Sequence, residues 1–492
     1  MTETRREINL VLAIAVVAAL GLGADALSDS VSPPEETVVS DRHVERGTFC
    51  PPPVSEILKA QNAVATASET GVPIDYQDAA RAAEAEPATP KSSTVAPGAF
   101  LLHNSEETAL TAIGFGDRPI AGALQSWSAP AEGAGAALCS ERPSNTWYFP
   151  AGSSELRFDE RLLLFNPYPD EAVARVTLFT PTVARNPTSL SDVAVPSGGW
   201  TEVEVNEFVN TQKLLSARVE TQRGRLIAWR VLFQKPEGGP FGASFTLGAP
   251  EASDTWYFPH GLIGDGASET LTILNPTEEE ATVTIQTFSA DLAFRRPDDL
   301  NEIRLEPGTS REINLARAGP SFKGNAESAH FSATVTTCPL GAGREEICPA
   351  SEQVPIVVER SLSVESGPFE GVSSEIGTPV LGDRLLLPPP AQNAGEDLLA
   401  LFNGGTEPVD VQVKLLTLKG PETPTPLTNL RVEPGRRVER SLDDFAELGP
   451  FFAVVTSSGP LTAERIARSV SGGDLVDVMG RSVAPADSGS EP

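Results

Sequence analysis

Two stretches of the sequence decide the fold, because they are copies of each other. Residues 147–167 read WYFPAGSSELRFDERLLLFNP, and residues 256–276 read WYFPHGLIGDGASETLTILNP. In both copies, Trp-Tyr-Phe-Pro is followed at the same distance by an apolar run that ends in Asn-Pro. A weaker third copy over residues 385–404 reads LLLPPPAQNAGEDLLALFNG. Self-similarity at a fixed period indicates one structural unit repeated along the chain.

Each copy continues beyond its Asn with an alternating strand, a Pro-Gly turn and a closing strand that carries an arginine. Alternation of apolar and polar residues predicts half-buried strands, and Pro, Gly and Asn mark the turns between them. Short strands with regularly spaced turns are typical of an antiparallel sandwich of roughly 100 residues. We therefore predict an all-β chain of tandem, Ig-like antiparallel sandwiches. Its structural anchors are Trp147, Asn166, Arg230, Trp256, Asn275, Arg360, Asn403 and Arg465.

The repeats and the composition also divide the chain into segments. A comparable apolar run, FLLHN over residues 100–104, indicates a divergent sandwich ahead of the three copies. Because short linkers join the sandwiches, we expect them to share limited contacts. The predicted segments are a signal anchor or signal peptide (1–27), a stalk (28–44), the divergent sandwich (45–143), repeat 1 (144–250), repeat 2 with a cysteine loop (251–376), repeat 3 (377–476) and a disordered tail (477–492).

The amino-terminal segment predicts export. Arg5 and Arg6 precede an uncharged apolar stretch, Leu10–Ala24. The sequence Ala24-Asp25-Ala26 has the form of a signal-peptidase site, which would give a secreted protein. Ile8–Leu27 also approaches the ~20 residues that span a membrane, and we favour this uncleaved anchor. Both alternatives place the rest of the chain outside the cytoplasmic membrane; a buried helix of a cytoplasmic protein is the competing interpretation.

The four cysteines predict two disulfides, since an even number in an exported chain is typical of a disulfide framework. Cys338 and Cys348 flank a glycine-containing loop that a bridge would close. Cys50 and Cys139 are left to join the first strand of the divergent sandwich to its last. Zinc is the alternative, but the sequence has no Cys-x-x-Cys. Its histidines are scattered at His43, His103, His260 and His330.

The sequence offers no recognisable catalytic, cofactor or metal site. It lacks the nucleophile-elbow, zinc-protease and phosphate-loop motifs, and a net charge of -30 disfavours nucleic acid as a partner. The Trp-Tyr-Phe triplets have the chemistry of sugar-stacking platforms, but we interpret them as core anchors. We expect each closing arginine to pair with a carboxylate or a turn carbonyl of its own sandwich. His260 is interpreted as structural, because Ala151 stands at its place in repeat 1.

These motifs carry a resemblance to a known family. The Cys50-Pro51-Pro52 start, the approach from Cys139 to Trp147 and the Trp-Tyr-Phe-Pro…Asn-Pro…Pro-Gly repeats resemble a family of exported actinobacterial proteins of unknown function. The resemblance covers nearly the whole chain after residue 45 and implies a location in the cell envelope. It also implies proximity to genes of envelope glycosyltransferases.

Two functional hypotheses follow, and neither is an enzyme. The first is a non-catalytic extracytoplasmic scaffold or accessory protein, anchored by its N-terminal helix and serving an envelope glycan-synthesising enzyme. The second is a carbohydrate-binding or adhesive surface protein that uses the loops at the sandwich ends. The expected partners are therefore the membrane and an envelope protein or glycan, without nucleic acid or a cofactor.

The export prediction is tested by the location of the carboxyl terminus. A reporter enzyme that is active only in the cytoplasm, fused after Pro492, should be silent, because we expect residues after Ser28 to lie outside the membrane. The same reporter fused to a chain that lacks residues 1–27 serves as the positive control. Activity of the full-length fusion equal to that of the control would contradict the prediction.

Overall fold

A computed structural model describes residues 47–52, 59–66, 72–79, 91–95, 99–105, 109–114, 120–127, 133–234, 242–264, 266–288, 300–315, 328–337, 353–365, 370–390, 394–469 and 475–483. The predicted N-terminal helix, the stalk and the predicted Cys338–Cys348 bridge lie outside these residues. No helix among the residues described has the length and apolar character of a membrane span.

The described chain consists of strands that form four antiparallel sandwiches with a common topology. The first contains β1 (Thr48–Cys50), β2 (Lys59–Thr66), β3 (Val72–Ala79), β4 (Lys91–Val95), β5 (Phe100–Ser105), β6 (Ala109–Gly114), β7 (Ile120–Trp127) and β8 (Ala134–Leu138). The second contains β9 (Thr146–Phe149), β10 (Phe158–Phe165), β11 (Ala172–Phe179), β12 (Ala184–Arg185), β13 (Val193–Val195), β14 (Trp200–Glu204), β15 (Ser216–Arg223), β16 (Ile227–Gln234) and β17 (Gly242–Leu247).

The third and fourth sandwiches follow the same order of strands. The third contains β18 (Thr255–Gly264), β19 (Ala267–Asn275), β20 (Ala281–Phe288), β21 (Ile303–Leu305), β22 (Thr309–Asn314), β23 (Ser328–Thr336), β24 (Val357–Val364) and β25 (Gly371–Ile376). The fourth contains β26 (Gly382–Leu387), β27 (Ala394–Asn403), β28 (Val409–Thr417), β29 (Gly420–Glu422), β30 (Leu430–Val432), β31 (Arg436–Ser441), β32 (Phe451–Ser469), β33 (Leu475–Met479) and β34 (Arg481–Ser482). Short 3-10 helices cover Thr188–Leu190, Val205–Glu207, Thr425–Leu427 and Asp443–Leu448.

The sheet order is the same in the first two sandwiches. One sheet runs β5-β2-β7-β8 in the first and β14-β10-β16-β17 in the second, and the facing sheets run β1-β6-β3-β4 and β9-β15-β11-β13. In the third sandwich the two sheets are joined, because β18 and β19 also pair with each other. In the fourth, β32 is long enough to run through both sheets. The prediction of all-β antiparallel sandwiches is confirmed.

The repeated asparagines stabilise equivalent turns through side-chain hydrogen bonds. The Nδ2 group of Asn166 donates to the carbonyl oxygens of Asp170 at 2.7 Å and Val195 at 3.2 Å, and its Oδ1 accepts from the Tyr168 amide at 3.0 Å. Asn275 and Asn403 make the same three kinds of contact, and all three side chains are fully buried. A buried amide that joins two loops in this way explains why Asn recurs, since buried polar groups need partners.

Four strands, one from each sandwich, pack on one another in the cyclic order β8, β17, β25 and β33. Between the first and second sandwiches, a Cβ at Gly135 would collide with the ring of Phe245. Between the fourth and first, Ala136 and Leu138 share a cluster with Val478 and Met479. The four sandwiches therefore close into a ring, and the expectation of limited contacts between them is wrong.

The first strand of each sandwich supports the same ring. Phe49 lies 6.4 Å from Phe165 of the second sandwich, measured between ring centroids. Tyr257 of the third lies 6.5 Å from Phe402 of the fourth. Leu386, which holds the Tyr position of the weak third copy, packs with side chains of the first sandwich. The third copy lacks Trp-Tyr-Phe, but Leu386 keeps the interface between the fourth and first sandwiches apolar.

Two sequence predictions need correction here. The proposed tail begins with strands β33 and β34, because Val478 and Met479 of β33 are buried at the centre of the ring. The FLLHN run of the first sandwich forms β5, the fifth strand, whereas the matching runs of the repeats form second strands such as β10. Its likeness to those runs came from apolar composition and not from position in the fold.

The disulfide prediction for the first sandwich is confirmed. Cys50 and Cys139 are bonded, with their Cα atoms 4.2 Å apart, and both side chains are buried. The bridge joins β1 to the residue that follows β8. Because β8 packs against β17 and β33, the disulfide also links β1 to the strands that form the ring.

Trp147 and Trp256 are buried anchors and can be tested as such. They are 1% and 2% exposed, and their Nε1 groups donate to the carbonyl oxygens of Leu226 and Ile356, each at 2.8 Å. Replacing either by Ala should lower the free energy of unfolding by about 3–5 kcal/mol, the usual cost of deleting a large buried aromatic. Leu156→Ala is the control, since Leu156 is 86% exposed.

Thermal and denaturant melts of the Trp147→Ala, Trp256→Ala and Leu156→Ala variants make this comparison. If a tryptophan variant melts like the wild type while losing affinity for glycans, that tryptophan is a binding platform and not an anchor.

Candidate functional site

The three closing arginines are almost completely buried. Arg230 and Arg360 have 0% of their surface exposed, and Arg465 has 1%. Each lies on the inner face of its own sandwich: Arg360, for example, is paired across the sheet with Leu271, which belongs to the core. A charge in this position requires partners that replace water.

Arg230 finds its carboxylate in the next sandwich. Its Nη1 donates to the Ala151 carbonyl and, at 3.0 Å, to Oε2 of Glu359, and its Nη2 donates to Oε1 of the same carboxylate. The hydroxyls of Thr246 and Ser374 accept from Nη2 at 3.2 and 3.3 Å. The Ala151 amide also donates to Glu359, at 2.9 Å. This network forms the joint between the second and third sandwiches.

Arg360 repeats the arrangement between the third and fourth sandwiches. It donates to the His260 carbonyl, to both oxygens of Glu464, one of them at 3.0 Å, and to Asp477. The His260 amide donates to Glu464 at 3.1 Å, as Ala151 does to Glu359. Ser373 donates to Asp477 at 3.0 Å. Two successive joints are therefore built from equivalent positions.

Arg465, in the fourth sandwich, pairs within its own domain. Its Nε donates to Asp397 at 2.9 Å, its Nη1 donates to the Phe451 carbonyl at 2.6 Å, and its guanidinium carbon lies 4.3 Å from the Phe451 ring centroid. The expectation of a partner within the same sandwich is confirmed for Arg465. It is also met by the carbonyls of Ala151 for Arg230 and of His260 for Arg360, each in the same sandwich as its arginine. The carboxylates that pair with these two arginines come instead from the next sandwich.

Strand alternation explains the difference. Glu359 directly precedes Arg360, and Glu464 directly precedes Arg465, so each glutamate points away from its own core while the arginine points into it. The glutamate thereby meets the arginine of the preceding sandwich. At the equivalent place in the second sandwich stands Trp229, whose Nε1 donates to the Leu138 carbonyl of the first sandwich at 2.9 Å.

A second set of buried carboxylates was missed by the sequence analysis. Glu160, Glu269 and Asp397 occupy the same position, ahead of Asn166, Asn275 and Asn403 in their strands. Asp397 receives Arg465, whereas Glu160 and Glu269 accept a single backbone amide each, from Ser153 at 2.9 Å and Leu262 at 2.8 Å. The recurrence of an acid at this place in all three copies was the signal that could have revealed them.

Burial controls the ionisation of these carboxylates. Desolvation raises the pKa of Glu160 to about 8, although Arg230 acts to lower it. It likewise raises the pKa of Glu269 to about 8, against the effect of Arg360. Both carboxyl groups are therefore neutral at pH 7, as an acid with an unpaired buried oxygen must be.

The guanidinium of Arg360 is held in its charged form by its surroundings. Burial acts to lower its pKa, but Glu464 and Asp477 outweigh burial and raise it. Desolvation raises the pKa of Glu464 itself, and Arg360 opposes that effect. Such a joint fixes two sandwiches in one geometry, because a different alignment of the packed surfaces would leave a buried charge without its partner.

Two histidines that are distant in the sequence lie together at this joint. The rings of His260 and His330 are 5.4 Å apart between centroids, and Nδ1 of His330 lies 3.1 Å from Oε1 of Glu439. These three side chains are a set that can hold a metal ion. His260, which the sequence predicts to be structural, contributes its backbone amide and carbonyl to the joint.

Comparison with known proteins gives a family without an assigned function. Residues 103–338, just under half of the chain, match the model of a family of unknown function (DUF5719), which confirms the expected resemblance to an uncharacterised family. No curated protein matches the chain. A solved structure, that of Thermotoga maritima 1070, is similar at 16% identity, with 22% of this chain and 96% of that chain covered and a TM-score of 0.19.

The raised pKa of Glu160 predicts a pH dependence of stability. The folded state keeps the proton up to about pH 8, whereas the unfolded chain loses it near the ordinary glutamate value of 4.5. This stabilisation is complete below the unfolded pKa and is lost as the pH rises through the folded pKa. Glu160→Gln keeps the group neutral, so its melting temperature should fall less than that of the wild type between pH 5 and 8.5.

Melting curves across this pH range measure the effect, which should reach on the order of 4 kcal/mol at the alkaline end. Glu278→Gln, an exposed substitution in a turn, is the matched control. Parallel curves for the wild type and Glu160→Gln would show that Glu160 is already ionised in the folded protein.

Proposed function

We propose that this chain is a non-catalytic, extracytoplasmic scaffold or accessory protein of the cell envelope, which serves a glycan-synthesising enzyme there. The observation that carries the proposal is the pair of buried arginine joints. Arg230 with Glu359 and Arg360 with Glu464 hold three successive sandwiches in fixed relative orientation. Surfaces contributed by different sandwiches are thereby presented together, and preorganisation of this kind lowers the entropic cost of binding a partner.

The placement of the perturbed carboxylates supports a structural role for them. Carboxyl groups with a strongly raised pKa often mark active sites, where substrate must reach them. Glu160 and Glu269 have no exposed surface and each accepts an internal backbone amide. A substrate could reach them only if a sandwich were unpacked. Their chemistry is therefore better suited to holding strands together than to proton transfer.

The extracytoplasmic part of the proposal rests on two features. The N-terminal segment reads as an export signal or membrane anchor, and the Cys50–Cys139 disulfide is typical of proteins in oxidising compartments. The glycan-synthesising enzyme is the class of partner that the family resemblance implies. The acidic surface fits a protein partner better than a polyanion.

The tryptophans of the repeats do not support the carbohydrate-binding alternative. Stacking platforms need rings that face solvent, and the rings of Trp147 and Trp256 are buried. Carbohydrate binding would therefore have to use the loops at the sandwich ends. A glycan-binding assay distinguishes this alternative from the scaffold.

Affinity purification of the full chain from detergent-solubilised envelope membranes tests the scaffold. The wild type and the surface control Glu278→Gln should retain an envelope protein at a fixed stoichiometry. Arg230→Met/Glu359→Gln removes both charges of one joint but leaves an acceptor for the Ala151 amide, so the sandwiches should still fold. This double variant should retain less of the partner, because the relative orientation of its sandwiches is released.

Circular dichroism of the double variant checks that its strands are intact. Failure to retain any protein, together with saturable binding of purified envelope glycans by the wild type, would contradict the scaffold and favour the carbohydrate-binding alternative.

A further inference from the structure

We propose that His260, His330 and Glu439 form a binding site for a divalent transition metal, with Zn²⁺ as the ion that fits best, across the joint between the third and fourth sandwiches. One ligand atom from each side chain lies within 4.8 Å of the other two. Two imidazoles and one carboxylate are a ligand set typical of zinc, with the fourth position left to water. The site is independent of the proposed scaffold function.

The fold places the three ligands from three strands. His330 lies in β23, and Glu439 lies in β31 of the fourth sandwich. His260 lies in β18 at a bulge: Phe258 pairs with Ala333 and Gly261 with Phe331, so two residues of β18 face one of β23. A bulge redirects the side chains at its position. Ala151 takes the place of His260 in the second sandwich, so the preceding joint lacks this ligand.

The side chain of His260 gives independent evidence for a ligand. It is 1% exposed, yet neither of its ring nitrogens has a hydrogen-bond partner among the described residues. A buried polar group left in this state costs roughly 1–3 kcal/mol. A bond to a metal ion would satisfy one of these two nitrogens.

The other two ligands provide access and orientation. The side chains of His330 and Glu439 are 35% and 29% exposed, which leaves a path from solvent to the buried imidazole. Arg437 donates to Oε1 of Glu439 and holds the carboxylate in place, so Oε2 is the oxygen available to the ion. Rotation of the exposed side chains can bring the ligand atoms to the ~2.1 Å bonds that zinc forms.

A metal here would link the two sandwiches that Arg360 already joins. His260 supplies its carbonyl to Arg360 and its ring to the ion, so both interactions act on one bulge. Because the ligands come from both sides of the joint, metal binding should stabilise the closed arrangement over any separated one.

Zinc titration of the metal-stripped full chain tests the site. The chain carries an affinity tag without histidine, and a chromophoric chelator competes for Zn²⁺. The wild type should bind one Zn²⁺ per chain and melt at a higher temperature with Zn²⁺ than without it. His330→Ala and Glu439→Gln, both at partly exposed residues, should bind about 100-fold more weakly or worse and should lose the thermal shift.

Two controls separate this site from others. His103→Ala removes a half-buried histidine of the first sandwich that contacts Asp78 at 2.8 Å, and Cys338→Ser/Cys348→Ser removes the thiols of the predicted loop bridge. Both variants should bind Zn²⁺ like the wild type. X-ray absorption should then show nitrogen and oxygen ligands only.

Several outcomes would overturn the proposal. They are an absence of saturable binding to the wild type, an affinity unchanged in both His330→Ala and Glu439→Gln, and a sulfur ligand in the absorption spectrum.

Discussion

The arrangement of the molecule depends on an arginine that points into the core of one sandwich and pairs there with a carboxylate from the next. Arg230 with Glu359 and Arg360 with Glu464 are fully buried pairs, and each is completed by the backbone of a bulge or turn through Ala151 or His260. Such pairs add little net stability compared with apolar contacts, because desolvation offsets their attraction. Their effect is on geometry, since any other alignment of the sandwiches would leave a charge buried and unpaired.

Other contacts replace this arginine–glutamate pair in the rest of the ring. The described strands of the first sandwich contain no arginine. The second sandwich has Trp229 at the position where the third and fourth have glutamate, and its indole donates to the Leu138 carbonyl. Arg465 of the fourth sandwich pairs with Asp397 of the same sandwich. Apolar contacts of Leu386 and Val478 then close the ring onto the first sandwich. Buried ion pairs therefore orient the second, third and fourth sandwiches. Hydrophobic contacts join the fourth sandwich to the first.

Local features of the fold could be predicted from the sequence, and the joints could not. The repeated Asn and Trp residues predict turns and core anchors, because their contacts fall within a single sandwich. The Cys50–Cys139 bridge could be predicted from the number and positions of the cysteines. Glu359 and Glu464 were visible beside the arginines, but alternation reveals only the face that a side chain occupies. The neighbour across that face depends on how the sandwiches close on each other. The same limit applies to His260, His330 and Glu439, which come from three strands and share no sequence spacing.

Differential scanning calorimetry of the full chain tests most directly whether the joints make the four sandwiches one cooperative unit. We expect a single unfolding transition whose calorimetric enthalpy equals the van't Hoff enthalpy. Two or more resolved transitions, each with the enthalpy expected for a separate sandwich, would contradict it.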